Sequence, residues 1–154
     1  MEWRIAILGA VLALGPAIPA LSEEKTPARL EREYDQESNA KKRARLAIDL
    51  TKARMDLLRA AYKTANPEEE KEALENYLAA AERLGTAVRE ASDTGTSKRA
   101  EVSLREQVRL LEGLKMDVSY LERPALEEAV EQMSELREEF LYSVVKQRKE
   151  AAKK

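Results

Sequence analysis

The stretch Arg45–Tyr62, RLAIDLTKARMDLLRAAY, decides the fold. On a helical wheel stepped at about 100° per residue, Leu46, Leu50, Ala53, Leu57 and Ala61 fall on one line. Ile48, Met55 and Tyr62 form a second line on the far flank, and Ala47 and Leu58 fill the gap. The apolar arc covers well over half the circumference, wider than the roughly 100° stripe of an ordinary surface helix. Such a helix must be covered on two sides. It reads as the central helix of a bundle, over about 39–65, with the other helices laid around it.

Working outward from it, Ala65-Asn66-Pro67 is a sharp boundary. Asn caps, Pro suits the first helical position, and Glu68, Glu69 and Glu70 bring the favoured sign to the first turn. So tight a turn makes the flanking helices antiparallel neighbours. The next helix runs over 67–91 with a seam of Leu74, Tyr77, Leu78, Ala81, Leu84, Val88 and Ala91. Ser92–Ser97 (SDTGTS) is rich in turn formers and reads as the one real loop. It has too few carboxylates for a Ca²⁺ site and too few glycines for a phosphate loop. A helix over about 98–120, capped by Ser97, follows with the seam Leu104, Val108, Leu111, Leu114, Val118 and Leu121. Gly113 sits inside it at a cost of about 1 kcal/mol relative to Ala. Pro124 ends that helix and opens another, over about 124–149, with the seam Leu126, Ala129, Val130, Met133, Leu136, Phe140 and Val144.

Upstream, Thr26-Pro27 starts a short helix over 27–36, whose apolar side is Leu30 and Tyr34. It is expected to lie across the bundle as a brace. Lys41, Lys42, Arg43 and Arg45 then load the start of the central helix with the unfavourable sign. Compensation by Glu31, Glu33, Asp35 and Glu37 of the first helix accounts for this; the alternative is a small anionic docking patch. The fold class is therefore all-α: an antiparallel up-down four-helix bundle with coiled-coil-like packing and a short N-terminal brace helix. The helices are too long for tetratricopeptide units, and no 34-residue repeat is present.

Residues 1–22 read as a cleavable signal peptide, and 23–154 as one helical domain. Arg4 supplies the n-region charge, Ile5–Leu14 are apolar but for Gly9, and Gly15, Pro16 and Pro19 break any helix. Cleavage is expected after Ser22 or after Ala20. An uncleaved membrane anchor is the rival reading, but the apolar run to Leu21 is at the short limit for a span and holds two prolines. The expected address is periplasmic or extracellular, with a bacterial origin inferred from the style of the chain.

Composition narrows the function. Charged residues make up 36% of the 154 and aromatics 5%, the mix of long helices. The net charge of −2 offers no global field for nucleic acid, so no nucleic-acid partner is expected. Cleavage would remove Trp3, leaving a chain without Trp, Cys or His. No Cys/His or Ser/His machinery and no ordinary zinc, copper, haem or di-iron ligand set can be assembled from such a chain. The methionines Met55, Met116 and Met133 are scattered and read as packing. Neither a metal site, a cofactor nor a catalytic residue is expected, and the chain reads as no enzyme. Acid pairs such as Glu127/Glu128 and Glu138/Glu139 lack any sign of a pocket that would shift their pKa values.

The expectation is an exported, non-catalytic protein-interaction or structural module of the cell envelope, whose partner is another envelope protein or a second copy of itself. Its candidate contact residues are the Ile48–Met55–Tyr62 flank, provided other helices leave it uncovered, and Tyr142, which lies off its helix's seam. Tyr62 and Tyr77 are expected to pack with their hydroxyls at the surface. The second class is a membrane-associated protein, held by an uncleaved N-terminal segment or by the basic end Lys146–Lys154. An enzyme with carboxylate chemistry is the third.

Overall fold

A computed structural model describes residues 25–153. The expected secretory segment 1–22 lies outside the described residues. Among the described residues the chain is all-helical, with no strand: α1 (Pro27–Gln36), α2 (Ala40–Thr64), α3 (Pro67–Ala91), α4 (Thr94–Asp117) and α5 (Arg123–Ala151).

Local chemistry explains the boundaries. The Thr26 hydroxyl accepts from the Arg29 amide, the Asn39 side chain from Lys42, and the Asn66 side chain from Glu68. These caps satisfy amides that a helix start leaves without partners. Ala65 (φ 53°) and Ser92 (φ 45°) take the left-handed conformation that ends α2 and α3 and turns the chain back. The expected loop 92–97 is shorter than its composition suggests. Asp93 accepts from both the amide and the hydroxyl of Thr96, at 3.0 and 2.8 Å, so α4 begins at Thr94 instead of near Lys98. One good cap outweighs the weak helix preference of Thr94, Gly95 and Thr96. Thr94 then hydrogen-bonds Gln147, tying the start of α4 to the end of α5.

Two hairpins, α2–α3 and α4–α5, carry the closest helix approaches. They meet through α2 against α4, with α3 approaching both α4 and α5. No close approach joins α2 to α5. The main core draws on all four long helices, with Met55, Leu58, Tyr77, Leu84, Leu104, Leu111, Leu126 and Phe140 among its buried members. Gly85 permits a close α3–α5 contact: a Cβ there would sit 3.3 Å from Leu136 Cδ1. Gly113, the glycine that stood out in the sequence, is exposed and has nothing within 4 Å of such a Cβ.

α1 crosses the first hairpin. Its Leu30, 1% exposed, packs on Leu50 and Ala80 beside Leu46 and Ala53, forming a small second core. This covers the Leu46–Leu50–Ala53 line of α2. Tyr34 donates its hydroxyl to the Arg83 carbonyl and lies between the guanidinium groups of Arg43 and Arg83, 5.9 and 5.6 Å from its ring centre. Ion pairs Glu31–Arg54 (2.7 Å) and Asp35–Arg83 (3.5 Å) fasten the same helix. Glu31 and Asp35 are thus engaged elsewhere, while Glu33 and Glu37 share a cleft with Lys42 and Arg45 at the basic start of α2. Glu90, paired with Arg43, Asp93, paired with Lys41, and the Glu37 carbonyl, which accepts from Arg43, add to that compensation.

Candidate interaction surface

The first candidate flank is mostly buried, yet its three residues line successive grooves between α2 and α4. Ile48 (9% exposed) and Met55 (1%) belong to the main core, and Tyr62 is half-buried against it. α2 turns this line toward α4 and the core while α1 takes the other apolar line, so the flank forms the floor of a groove and not a free face. Tyr142 is 71% exposed on α5. Nothing brings it near the other three.

One open groove is the furrow between α2 and α4. It is a groove of about 690 Å³ with an apolar floor of Ile48, Gly95 and Val102. Its rim carries Arg45 and Lys52 from α2 and Lys98 and Arg99 from α4. None of these four cations has an ion pair among the described residues. Two carboxylates line the groove with them, Asp49, held by Lys25 at 2.8 Å, and Glu106; Glu33 and Glu37 share a neighbouring cleft with Arg45. Four cations against two carboxylates give the trough an excess of positive charge, which attracts an anionic occupant. A smaller furrow, lined by Met55, Asp56 and Leu110, shares Lys52 and Glu106 with it and extends the trough along both helices.

A second cleft of about 490 Å³ lies between α3 and α5 over Gly85. Arg89 donates two hydrogen bonds of 2.7 Å to Glu139 across it, while Glu82 and Glu135 line the same cleft without an ion pair among the described residues, so it carries an excess of acids. The Arg89 pairing holds the Glu139 carboxyl below its ordinary value.

Beneath the α2–α4 trough the interior is polar and closed. The Tyr77 hydroxyl donates to Gln107 Oε1 at 2.9 Å; Gln107 Nε2 donates to Thr51 Oγ1 (3.3 Å) and Ser103 Oγ (3.1 Å). All four residues are buried. The expected surface position of the Tyr77 hydroxyl is thereby corrected: burial pushes its pKa far up, and the group serves as a donor only. This network joins α2, α3 and α4 and fixes their register, as buried polar groups with mutual partners do.

Two carboxylates are buried. Glu101 is gripped by Arg105 and by Arg137 of α5. Burial pushes its pKa up, but the hydrogen bonds and charges of the two arginines outweigh that and hold it low. Glu70 lies beside Glu122; burial first, then the neighbouring Glu122 charge, raise its pKa. Glu122 in turn is held low by hydrogen bonds from the Ser119 hydroxyl and amide, at 2.7 and 2.8 Å. Sequence reasoning missed all of these. The signal was present: Glu70 is four residues before Leu74, and Glu101 three before Leu104, so both stand in register with an apolar seam.

Comparison with protein-family models, curated proteins and solved structures finds no match. Among the described residues no cluster of three or more acidic side chains is arranged to hold a metal ion. Nor is any described helix long and apolar enough to cross a membrane.

Proposed function

We propose that the protein is an exported, non-catalytic interaction module of the bacterial cell envelope. In this reading α2–α5 form an antiparallel up-down four-helix bundle, α1 braces its first hairpin, and residues 1–22 are removed on export. The observation that carries it is the α2–α4 trough, which has an apolar floor and four cations without an ion pair among the described residues. A groove between helices with such a rim suits an amphipathic helix bearing acidic residues beside its apolar face. Charge supplies steering and register, while the floor supplies apolar burial.

The test is a photocrosslinking side chain in place of Val102, in the full-length chain with a C-terminal tag, compared with one in place of Leu57. Val102 lines the trough and Leu57 does not. Capture of a specific partner at position 102 alone, on bait whose intact mass begins near Leu21 or Glu23, is the expected result. Equal capture at both positions, or none, would remove the reading. Bait beginning at Met1 would favour a membrane-anchored protein instead.

A second reading rests on the end of α5. There Leu141, Tyr142 and Val145 are exposed next to the basic Lys146, Arg148 and Lys149, a pattern suited to an anionic lipid surface. Flotation with vesicles rich in anionic lipid tests it; a chain left at the bottom of the gradient at low salt would end it.

A further inference from the structure

We propose that the occupant of the α2–α4 trough is α5 of a second copy of this chain. The proposal rests on the reading of that trough as the interaction surface, and names what fills it.

Charge complementarity carries the argument. The outer face of α5 has Glu127, Glu131 and Glu138, all exposed and without an ion pair among the described residues. Leu141, Tyr142 and Val145 follow on the same helix, 42, 71 and 42% exposed. At about 100° per residue these six side chains fall within an arc of about 100°, so one face presents acids and then apolar groups. The trough presents an excess of the converse: Arg45, Lys52, Lys98 and Arg99 around an apolar floor, against Asp49, which is held by Lys25, and Glu106, with Asp56 in the extension. One chain therefore holds both halves of a matched contact, and neither half is satisfied within it.

The lengths agree as well. From Gly95 to Leu110 the trough and its extension follow α4 for about 22 Å, and Glu131 to Val145 spans about 21 Å of α5, at 1.5 Å per residue. The α3–α5 cleft does not suit this helix, because Arg89 is taken by Glu139 across it and Glu82 and Glu135 leave its lining acidic. The contact joins two different patches. Two copies that exchange α5 contacts reciprocally close as a dimer; otherwise the contact repeats from copy to copy.

Sedimentation equilibrium over a range of protein and salt concentrations tests this on the chain as recovered from expressing cells. Two variants sharpen it: one with Lys98→Glu and Arg99→Glu, the other with Glu131→Lys and Glu138→Lys. All four positions are exposed, so folding is not at stake. The wild-type chain is expected to self-associate, less so as salt rises. Each variant alone should lose about ten-fold or more in association constant, near 1.4 kcal/mol. An equimolar mixture of the two should regain it, because the reversed trough and the reversed helix again carry opposite charges. A wild-type chain that stays monomeric, or a mixture no stronger than its components, would overturn the proposal. If a monomeric chain still crosslinked an envelope protein at position 102, this proposal would fall and the function proposed above would stand.

Discussion

The two hairpins are similar in length, yet only the first carries a brace. In α2–α3 the surplus apolar line of α2 is roofed by Leu30, and Leu57 is the one large hydrophobic among the described residues of that hairpin left exposed. The α4–α5 hairpin and its link leave Val102, Met116, Tyr120, Leu121, Leu141, Tyr142 and Val145 exposed. None of the described helices crosses its outer side. The first hairpin closes its own surface with a segment of the same chain; the second leaves that surface for something else. The contrast is one of exposed apolar surface, and it is what the proposed contact on the unbraced half of the molecule and in the trough beside it rests on.

The largest expected effect breaks the contrast at its source. Leu30→Ala should cost about 2–5 kcal/mol in urea denaturation, the usual range for emptying a buried leucine site. Leu141→Ala, on the unbraced side, should move stability by less than about 0.5 kcal/mol, as exposed positions do. A cost for Leu30→Ala as small as that would mean α1 is not acting as a roof. Next comes the joint between the hairpins. Gln107→Ala leaves the buried Tyr77 hydroxyl without an acceptor, at a cost of about 1–3 kcal/mol. Adding Tyr77→Phe should recover part of that loss, and full additivity of the two would show that the pair is not coupled.

The buried carboxylates give opposite pH dependences. Glu70 has its pKa raised from an ordinary value of 4.5, so its contribution is present in acid and fades as pH rises through the raised value. Glu101 has its pKa lowered, so its contribution is present above the ordinary value and fades as pH falls through the lowered one. Melting from pH 3 to pH 8 (a range of about five units around the ordinary carboxylate value) separates them. Glu70→Gln should remove part of the decline on the high-pH side, and Glu101→Gln part of the decline on the acid side. Profiles of unchanged shape would contradict both assignments. The smallest effect concerns two glycines. Gly113→Ala should stabilise by about 1 kcal/mol, since the added methyl meets nothing. Gly85→Ala should gain less or lose, because Leu136 and the Arg89 guanidinium already stand 3.3 Å from the new Cβ.

Much of the helix plan was legible because its signals are local. Thr26-Pro27 and Asn66-Pro67 give the starts of α1 and α3, and the expected spans 27–36 and 67–91 agree with the structure. The start of α4 was misread because Thr94, Gly95 and Thr96 look like a turn until the Asp93 side chain closes on Thr96. Facing is a different matter. Periodicity gave α2 two apolar lines that both needed cover, but nothing within 45–62 says which line meets α1 and which meets the core. That depends on Leu30 reaching Leu50 and Ala80, a contact between distant segments. The trough was legible only on its α2 side, where Ile48 and Met55 of the flank read from spacing line it. Arg45, Lys52, Lys98 and Arg99 come together only when α2 packs beside α4, and only an ion-pair inventory shows that Asp49 is already taken by Lys25. Tyr142 could be placed off its seam from spacing alone, since that asks only about its own helix.

The most direct test exploits the absence of native cysteine. Single cysteines in place of Val102, Leu141 and Leu57 would be labelled with a bulky maleimide at low and at high protein concentration. The account predicts fast labelling at all three positions in dilute solution. At high concentration, labelling should slow several-fold at positions 102 and 141 and stay unchanged at 57. Equal slowing at all three positions, or none at 102 and 141, would contradict the claim that the unbraced half of the molecule is the contact surface.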